Sequence, residues 1–477
     1  MPAAPARRTL AVTLAGKRVL VLGLGETGLA VARWVAREGG TVRVADTRAA
    51  PPALAALRAA VPQAELVTGA FAEPLLAGID LVAASPGVPL AAPLLQSALA
   101  RGLEVLGDLE LFARFLAQRP SARVMAITGT NGKTTVTALA GAMCRAAGLD
   151  AEVAGNISPA VLAALAERLE RGRLPEVWVL ELSSFQLETT TSLAPDVAAV
   201  LNLTADHLDR YPGIAEYAAA KARIFAGAGA QVLNRDDPWS IGMRRPGRRV
   251  ITFGVGPAPD HDDFGLLKMA GEYWLALGAT PLAPVREMQL AGLHNAANAL
   301  AALALCRAIG LHLATLLDAL KGFRGLPHRV ERVAEIAGVA FYDDSKGTNV
   351  GSTVAALAGL ARQINGGGGK VVLIAGGDGK QQDFTPLAEA VARAARTVVL
   401  IGRDGPRIAA AIADSGAQVE RAVTMTEAVA RAFEAARPGD VVLLSPACAS
   451  FDMFANYHQR GEAFCAAVKE LEHARTS

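Results

Sequence analysis

The chain contains few cysteines and few aromatic residues. Aromatic side chains make up 5% of its 477 residues, and the four cysteines are far apart in sequence, without a CxxC spacing. This pattern excludes a disulfide framework and a zinc-finger framework, and it indicates small buried side chains in a reducing compartment. Cys448 as a nucleophile has little support, because no histidine lies in a recognisable partner motif.

An excess of charge and long apolar runs are also lacking. The 47 basic and 45 acidic residues leave a net charge of +2, which provides no electrostatic footprint for nucleic acid or an anionic membrane. The first twenty residues contain no continuous apolar core of a signal peptide, and no run of 18 apolar residues occurs. With 52% hydrophobic residues, the sequence predicts a cytoplasmic, multidomain α/β protein.

Strand patterns alternate with helix patterns through most of the chain, which predicts parallel sheets covered by helices. The length allows about three domains. A polar break that contains proline follows Leu116, and a connector with glycine and proline spans Phe323–Arg329. We therefore predict domains over residues 1–116, 117–325 and 326–477. Between Pro238 and about Leu290 the pattern is less regular, which favours a small antiparallel or lid region.

The most informative motif is Gly129-Thr-Asn-Gly-Lys-Thr-Thr135. It follows an apolar strand pattern, Arg123–Thr128, and precedes a helix pattern that runs from Val136. A glycine-rich turn between a strand and a helix holds polyphosphates through backbone N–H groups, and Lys133 adds a positive charge. The first glycine of the strict pattern would fall at Ile127, so the turn is a variant of the phosphate loop. We predict that it binds ATP; a polar turn without a ligand is the alternative.

A second glycine-rich turn, Gly23-Leu-Gly-Glu-Thr-Gly28, lies between a strand and a helix, and Asp46 ends the next strand. These features satisfy the dinucleotide fingerprint and, taken alone, favour a nicotinamide-dependent oxidoreductase. A UDP-sugar presents the same diphosphate, and no hydride-transfer domain is recognisable downstream. We predict a nucleotide diphosphate here, with a tight structural turn as the alternative.

Polar residues end two further strands of the middle region. Glu181 ends one strand, and Asp206 and His207 follow the next. Since the carboxyl ends of parallel strands line the ligand crevice, these side chains are candidates for Mg²⁺ ligands. Glu181 as a helix-capping carboxylate and His207 as a structural histidine remain open alternatives. Lys221 has the pattern of a solvated helix lysine.

The last region has three small polar segments after strands, namely 343–349, 376–380 and 445–452. Each alone is an ordinary turn. Because all three lie at strand ends and include Lys346 and Lys380, they indicate a pocket for an anionic substrate or a phosphate.

Taken in order, these motifs resemble the Mur ligases, over about Val19 to Glu470. The segments that carry the resemblance are Gly129–Thr135, Glu181–Glu188, Asp206–Tyr211, His294–Asn298, Leu326–Arg329, Asp344–Asn349 and Ser445–Ser450. The later segments are shared with folylpolyglutamate synthases, which would not explain the Gly23–Gly28 turn.

The resemblance implies three domains: an N-terminal Rossmann-like UDP-sugar domain, a central P-loop-type ATPase and a C-terminal Rossmann-like amino-acid domain. It also implies peptidoglycan precursor synthesis, in which D-glutamate is added to UDP-N-acetylmuramoyl-L-alanine through an acyl phosphate by a cytoplasmic monomer. Closure of the domains would exclude water from that intermediate.

The same resemblance implies roles for individual residues. Those expected at ATP are Gly129, Thr130, Asn131, Gly132, Lys133, Thr134, Thr135, Asn295, Arg329 and Asp344. Two Mg²⁺ ions are expected on Thr134, Glu181, His207 and a carbamylated Lys221, with Lys133, Glu181, His207 and Lys221 as catalytic residues. Those expected at the UDP substrate are Thr27, Thr47, Arg48, Ser85 and Asn156. Those expected at D-glutamate are Thr348, Lys380, Ser450 and Tyr457.

Three positions depart from the family pattern. Phe451, Tyr457 and Gly347 stand where leucine, phenylalanine and alanine are expected. Other Mur-type ligases, and a nucleotide sensor that binds ATP and a UDP-sugar without turnover, remain alternatives to the ligase.

Overall fold

The computed structural model describes residues 13–119, 122–207, 210–290, 292–364 and 368–476. Three separate sheets, of five, nine and six strands, succeed one another along the chain. Within these ranges no helix combines the length and the apolar character that crossing a bilayer requires.

The first sheet has five strands, all parallel. Its strands are β1 (Arg18–Leu22), β2 (Thr41–Asp46), β3 (Glu65–Thr68), β4 (Leu81–Ala84) and β5 (Glu104–Leu106). Its helices are α1 (Glu26–Arg37), α2 (Leu54–Ala60), α3 (Pro93–Ala100) and α4 (Asp108–Ala117). The strand order in this sheet is β3-β2-β1-β4-β5. The direction in which strands are added therefore reverses between β1 and β4, and such a switch point opens a ligand crevice at the carboxyl ends of the strands.

The second sheet has nine strands and carries the phosphate loop. Its strands are β6 (Arg123–Thr128), β7 (Ala151–Gly155), β8 (Val177–Glu181), β9 (Val197–Val200), β10 (Ala230–Asn234), β11 (Val250–Phe253), β12 (Phe264–Met269), β13 (Glu272–Leu277) and β14 (Thr280–Pro284). Its helices are α5 (Lys133–Ala146), α6 (Val161–Glu170), α7 (Ser184–Glu188), α8 (Ile214–Ala222), α9 (Pro238–Gly242), α10 (Leu293–Ala308) and α11 (Leu313–Gly322). The strand order in this sheet is β14-β13-β12-β11-β10-β9-β6-β8-β7. The strands β12, β13 and β14 form an antiparallel meander, as the irregular sequence pattern predicted.

The third sheet has six strands, parallel except for the pair β15–β16. Its strands are β15 (Glu331–Ile336), β16 (Val339–Asp343), β17 (Val371–Gly376), β18 (Ala395–Ile401), β19 (Gln418–Arg421) and β20 (Val441–Leu444). Its helices are α12 (Val350–Ile364), α13 (Leu387–Ala394), α14 (Gly405–Ala411), α15 (Met425–Ala435) and α16 (Tyr457–Thr476). The strand order in this sheet is β15-β16-β20-β17-β18-β19. The central strands β17 and β20 are buried along their whole length, which agrees with their unbroken apolar sequences.

The prediction of three α/β units with mainly parallel sheets is confirmed. One helix boundary was wrong: α5 begins at Lys133, not at Val136, because the polar Lys-Thr-Thr segment forms its first turn. A helix that begins on an anion site needs polar residues there, and they interrupt the apolar periodicity on which the sequence pattern depends.

Candidate active site

A cleft of about 480 Å³ lies where the second and third sheets face each other. Most of the residues expected at ATP, metal or amino acid meet in it, together with Asn156, which was expected at the UDP substrate; Gly129 and Lys221 do not line it. Those that line it are Thr130, Asn131, Gly132, Lys133, Thr134, Thr135, Asn156, Glu181, His207, Asn295, Arg329, Asp344, Thr348 and Lys380. The cleft therefore joins groups contributed by both domains.

The phosphate loop connects β6 to α5 through two glycines with positive φ. Gly132 has φ 82°, and a Cβ there would lie 2.4 Å from the side-chain oxygen of Asn298. Gly129 has φ 154° and packs against the backbone after β9. Lys133 Nζ donates to the carbonyl oxygens of Gly129 and Thr130 at 2.9 and 2.8 Å. Both glycines are thus required by conformation and close approach, and the lysine amine lies directly over the loop.

Glu181 ends β8 and is 2% exposed. Its Oε1 accepts a hydrogen bond from Asn156 Nδ2 at 2.8 Å, whereas its buried Oε2 has no hydrogen-bond partner among the described residues. Burial acts to raise the pKa of Glu181, but Lys133 and neighbouring donors hold that pKa below its usual value. The adjacent helix α7 is capped by Ser183, so the helix-capping alternative for Glu181 is wrong. An ionised carboxylate with one buried, unpartnered oxygen fits Mg²⁺, which prefers oxygen ligands.

Lys221 is buried, contrary to the solvated position that its sequence pattern favoured. It is 1% exposed on α8, and its Nζ donates to Gly129 O at 2.9 Å and to Thr128 Oγ1 at 3.2 Å. Burial, followed by the positive charge of Lys133, lowers the pKa of Lys221 well below its usual value. A buried amine that is neutral is the form that adds CO₂, so the site is chemically suited to a carbamate.

Asp206 and His207 follow β9 and line the cleft. His207 has φ 55°, and its ring packs edge-on against Phe185 with centroids 4.7 Å apart. Its side chain keeps 31% of its surface exposed. Leu208 and Asp209 of the same motif lie outside the described residues.

Arg329 and Asp344 enter the cleft from the C-terminal domain. Burial lowers the pKa of the Arg329 guanidinium, and the carboxylates of Glu181 and Asp344 oppose that effect. Asp344 is 7% exposed, and its Oδ2 accepts from Ser445 Oγ at 2.7 Å. Burial raises the pKa of Asp344 from 3.8 to about 7. A carboxyl group in a cleft whose pKa lies near neutral pH is a candidate functional residue.

Of the residues expected at D-glutamate, Thr348 and Lys380 line the cleft, whereas Ser450 and Tyr457 lie outside its lining. The ring of Tyr457 covers Lys346, whose Nζ lies 3.8 Å from the ring centroid. Burial of Lys346, with Arg329 close by, lowers its pKa to about 8. The departure from phenylalanine at position 457 therefore keeps an aromatic face on a cleft lysine.

The other two positions that depart from the family pattern are Gly347 and Phe451. A Cβ at Gly347 would lie 2.6 Å from Asp344 Oδ2 and 2.7 Å from Ser445 Oγ, so glycine permits the close approach of these groups. Phe451 is 71% exposed. Cys448 is buried, and burial raises the pKa of its thiol to about 12, which removes it as a nucleophile at neutral pH.

Four of the five residues expected at the UDP substrate gather at the carboxyl edge of the first sheet, whereas Asn156 lines the cleft described above. Thr27 lies on the first turn of α1, Thr47 and Arg48 follow β2, and Ser85 follows β4 and donates to Gly23 O at 3.2 Å. They surround the switch point between β1 and β4, the expected place for a diphosphate.

Asp46 is unavailable for the ribose of a dinucleotide. Its two oxygens accept four hydrogen bonds, from Leu24 N and from the backbone N, Nε and Nη2 of Arg48, at 2.6 to 2.9 Å. The bonds from Arg48 hold the pKa of Asp46 far below its usual value. The acidic residue of the fingerprint therefore orients Arg48, which disfavours the oxidoreductase alternative.

Comparisons with known proteins agree with this geometry. Three family models match the chain in order: "Mur ligase MurD-like, N-terminal domain" at 17–107, "Mur ligase middle domain" at 127–306 and "Mur ligase, glutamate ligase domain" at 328–448. A UDP-N-acetylmuramoylalanine–D-glutamate ligase of Nitrosospira multiformis is 57% identical over 97% of this chain and 98% of its own. The chain belongs to the Mur ligase family.

Other relatives of this Mur ligase give the same result. A ligase of the same name from Thiobacillus denitrificans is 57% identical over 98% of both chains. Among solved structures, UDP-N-acetylmuramate–alanine ligase of Thermotoga maritima aligns with a TM-score of 0.62 at 21% identity, over 95% of this chain and 99% of that one. A Mur ligase of Acinetobacter baumannii aligns at 0.60 and 18%, over 96% and 92%. These structures show the shared fold.

Sequence reasoning on this Mur ligase missed two contacts that build the site. His328 Nδ1 lies 2.7 Å from Asp343 Oδ2, so the residue before Arg329 is anchored to the end of β16. Glu26, inside the Gly23–Gly28 turn, accepts from Ser158 Oγ and Ala160 N at 2.8 and 2.9 Å and joins the first domain to the second. Only the polar type of these residues gave a signal, and it does not identify a partner 15 residues away, as for His328, or more than 130 residues away, as for Glu26.

Proposed function

We propose that this Mur ligase is an ATP-dependent amide ligase that adds D-glutamate to UDP-N-acetylmuramoyl-L-alanine in peptidoglycan precursor synthesis, acting as a cytoplasmic monomer. The observation that carries the proposal is the single cleft in which the phosphate loop faces Lys380 and Thr348 of the C-terminal domain. The name shared by the relatives at 57% identity supports the choice of both substrates.

The chemistry requires activation of a carboxylate, because its oxygen is a poor leaving group. Transfer of the γ-phosphoryl group of ATP to the L-alanyl carboxylate gives an acyl phosphate and ADP. The D-glutamate amine then attacks the carbonyl carbon, and the tetrahedral intermediate expels phosphate and loses a proton. Closure of the cleft between the two domains would exclude water from the acyl phosphate during this sequence.

The residues of the chain would position the substrates and stabilise the charge that develops during the reaction. Lys133 and the N–H groups at the start of α5 would neutralise the transferred phosphoryl group, while Arg329 and Asn295 would orient the nucleotide. The anionic amino acid would be received by Thr348, Lys380, Ser450 and Tyr457. Thr27, Thr47, Arg48 and Ser85 would bind the UDP moiety, and Asn156 would lie near the muramoyl-alanyl part.

Two Mg²⁺ ions would be held by Thr134, Glu181, His207 and a carbamylated Lys221. When bound, they would neutralise phosphate charge and polarise the acyl group. The unpartnered Oε2 of Glu181 and the buried amine of Lys221 are the observations that support this set. We also propose domain limits of 1–116, 117–325 and 326–477.

The test is phosphate release with each substrate omitted in turn, followed by a panel of amino acids. Release that requires ATP, UDP-N-acetylmuramoyl-L-alanine and D-glutamate together supports the proposal. Release at the same rate without either acceptor would refute it, and a preference for L-alanine or a diamino acid would assign a different Mur-type reaction. Full biological activity of a Lys133→Ala variant would favour a nucleotide sensor.

A further inference from the structure

Gln382 lies outside the lining of the cleft, in the loop that follows β17 and contains Lys380. Its side chain is half-buried and joins two parts of the C-terminal domain. Gln382 Oε1 accepts from Val350 N, the first N–H of α12, at 3.1 Å, and its Nε2 donates to Gly379 O at 3.0 Å. One side chain thus connects the Lys380 loop to the beginning of α12.

The Lys380 loop has a conformation that needs such support. Lys380 and Gln381 have φ values of 48° and 60°, which are uncommon for residues that carry a Cβ. A residue held in this region persists only where the surrounding bonds determine it. Besides Gln382, the loop is held by Asp378, which accepts from Lys380 N at 3.0 Å, and by Asp404, which accepts from Gly379 N at 2.7 Å.

The beginning of α12 is itself joined to the phosphate loop of the central domain. Asn349 Oδ1 accepts from Ser352 N at 2.9 Å, as an N-cap residue does, and its Nδ2 donates to Asn131 Oδ1 at 3.1 Å. Ser352 Oγ donates to the same Asn131 oxygen at 2.7 Å. Gln382 satisfies a further N–H at this helix end, where intrahelical partners are lacking.

We propose that Gln382 is a positioning residue for Lys380 and holds its ammonium group at a fixed place relative to the ATP loop. The inference rests on the proposed function, in which Lys380 binds D-glutamate. Gln382 does not line the cleft, so it acts through the loop and through α12 and contacts no substrate. Its loss affects D-glutamate most, because ATP and the UDP substrate have anchors on other domains.

The experiment compares Gln382→Ala with Gln381→Ala in the full-length enzyme. Gln381 is exposed and lies on the same loop, so it is a matched control. We expect the KM for D-glutamate to rise about 3- to 10-fold in Gln382→Ala, the range for loss of one or two hydrogen bonds. The KM values for ATP and the UDP substrate and the kcat stay within about 2-fold, and Gln381→Ala matches the wild type.

The variant Gln382→Glu keeps an acceptor for Val350 N–H but has no N–H to donate to Gly379 O, so it tests the bond to α12 by itself. It is expected to recover at least half of the rise in the D-glutamate KM. Gln382→Met, of similar length without hydrogen bonds, replaces the alanine variant if that protein does not fold, with the same expected rise.

Three results would overturn the inference: an unchanged D-glutamate KM in both non-bonding variants, an equal change in all three KM values, or a glutamate variant no better than alanine. A wild-type enzyme that turns over without D-glutamate would instead contradict the proposed function. The two failures are therefore distinguishable.

Discussion

Replacing Asp344 with asparagine is expected to stabilise the protein above pH 7 while it impairs turnover. The carboxyl group is 7% exposed, and burial raises its pKa from 3.8 to about 7. Asparagine is nearly isosteric and keeps an oxygen that can accept the Ser445 hydroxyl. It therefore removes the cost of a buried charge without creating a large cavity.

The sign and the size follow from proton linkage. An acid whose folded pKa is raised binds its proton more tightly in the folded state, so stability is fully present below pH 3.8 and is lost as pH rises towards about 7. At about 1.36 kcal/mol for each tenfold change in proton activity, this interval corresponds to about 4 kcal/mol. Asparagine does not titrate, so its advantage over aspartate grows across the same interval and then levels off.

The assay is thermal unfolding of both proteins from pH 4 to pH 9, with phosphate release measured in parallel. For a domain of about 150 residues, 1 kcal/mol corresponds to about 2–4 °C. Half of the full effect therefore raises the Tm by at least about 4 °C at pH 8 and by little at pH 4. Asp383→Asn is the control, because neighbouring Thr385 donors lower the pKa of that exposed carboxylate and the substitution has the opposite sign.

A difference in Tm that does not vary between pH 4 and pH 9 would refute the reasoning, and so would an asparagine variant less stable than the wild type at pH 8. Either result would mean that the Asp344 charge is compensated in the folded protein. Loss of activity together with a gain in stability would instead show that the buried charge is kept for function.

Three further predictions concern the cleft. Lys221→Ala is expected to be nearly inactive and partly rescued by added short carboxylates, which replace the carbamate; wild-type activity without rescue would exclude that role. Glu181→Gln is expected to raise the Mg²⁺ concentration needed for half-maximal rate at least about 10-fold, since an amide is a weaker ligand, with the Tm within a few degrees; an unchanged requirement would remove Glu181 from the metal site. Lys346 loses its charge as pH rises through about 8, so the KM for an anionic substrate should rise above that pH, and Lys346→Arg should abolish the rise. A pH profile that is the same in both proteins would show that another group titrates.

Much of the fold could be predicted because its signals are local. The strand β6 (Arg123–Thr128) coincides with the predicted apolar strand pattern, since a strand buried on both faces needs a continuous apolar sequence. The glycine-rich turn Gly129–Thr135 and Glu181 could also be selected from the sequence as candidate ligand-binding residues. A glycine-rich turn or a carboxylate at the end of a strand favours a ligand site without any information from distant residues.

From the amino-acid sequence one can recognise the α/β alternation, the phosphate loop and the family resemblance, since each depends on residues close together in the chain. Three features become visible in the folded protein alone: Lys221 is buried, Asp46 accepts three hydrogen bonds from Arg48, and Asn131 accepts a hydrogen bond from Ser352 of another domain. Burial and pairing depend on which surfaces are brought together by packing, and a residue's own neighbours in sequence do not specify them. For the same reason, Lys221, whose sequence pattern is that of a solvated helix lysine, lies buried beside the phosphate loop.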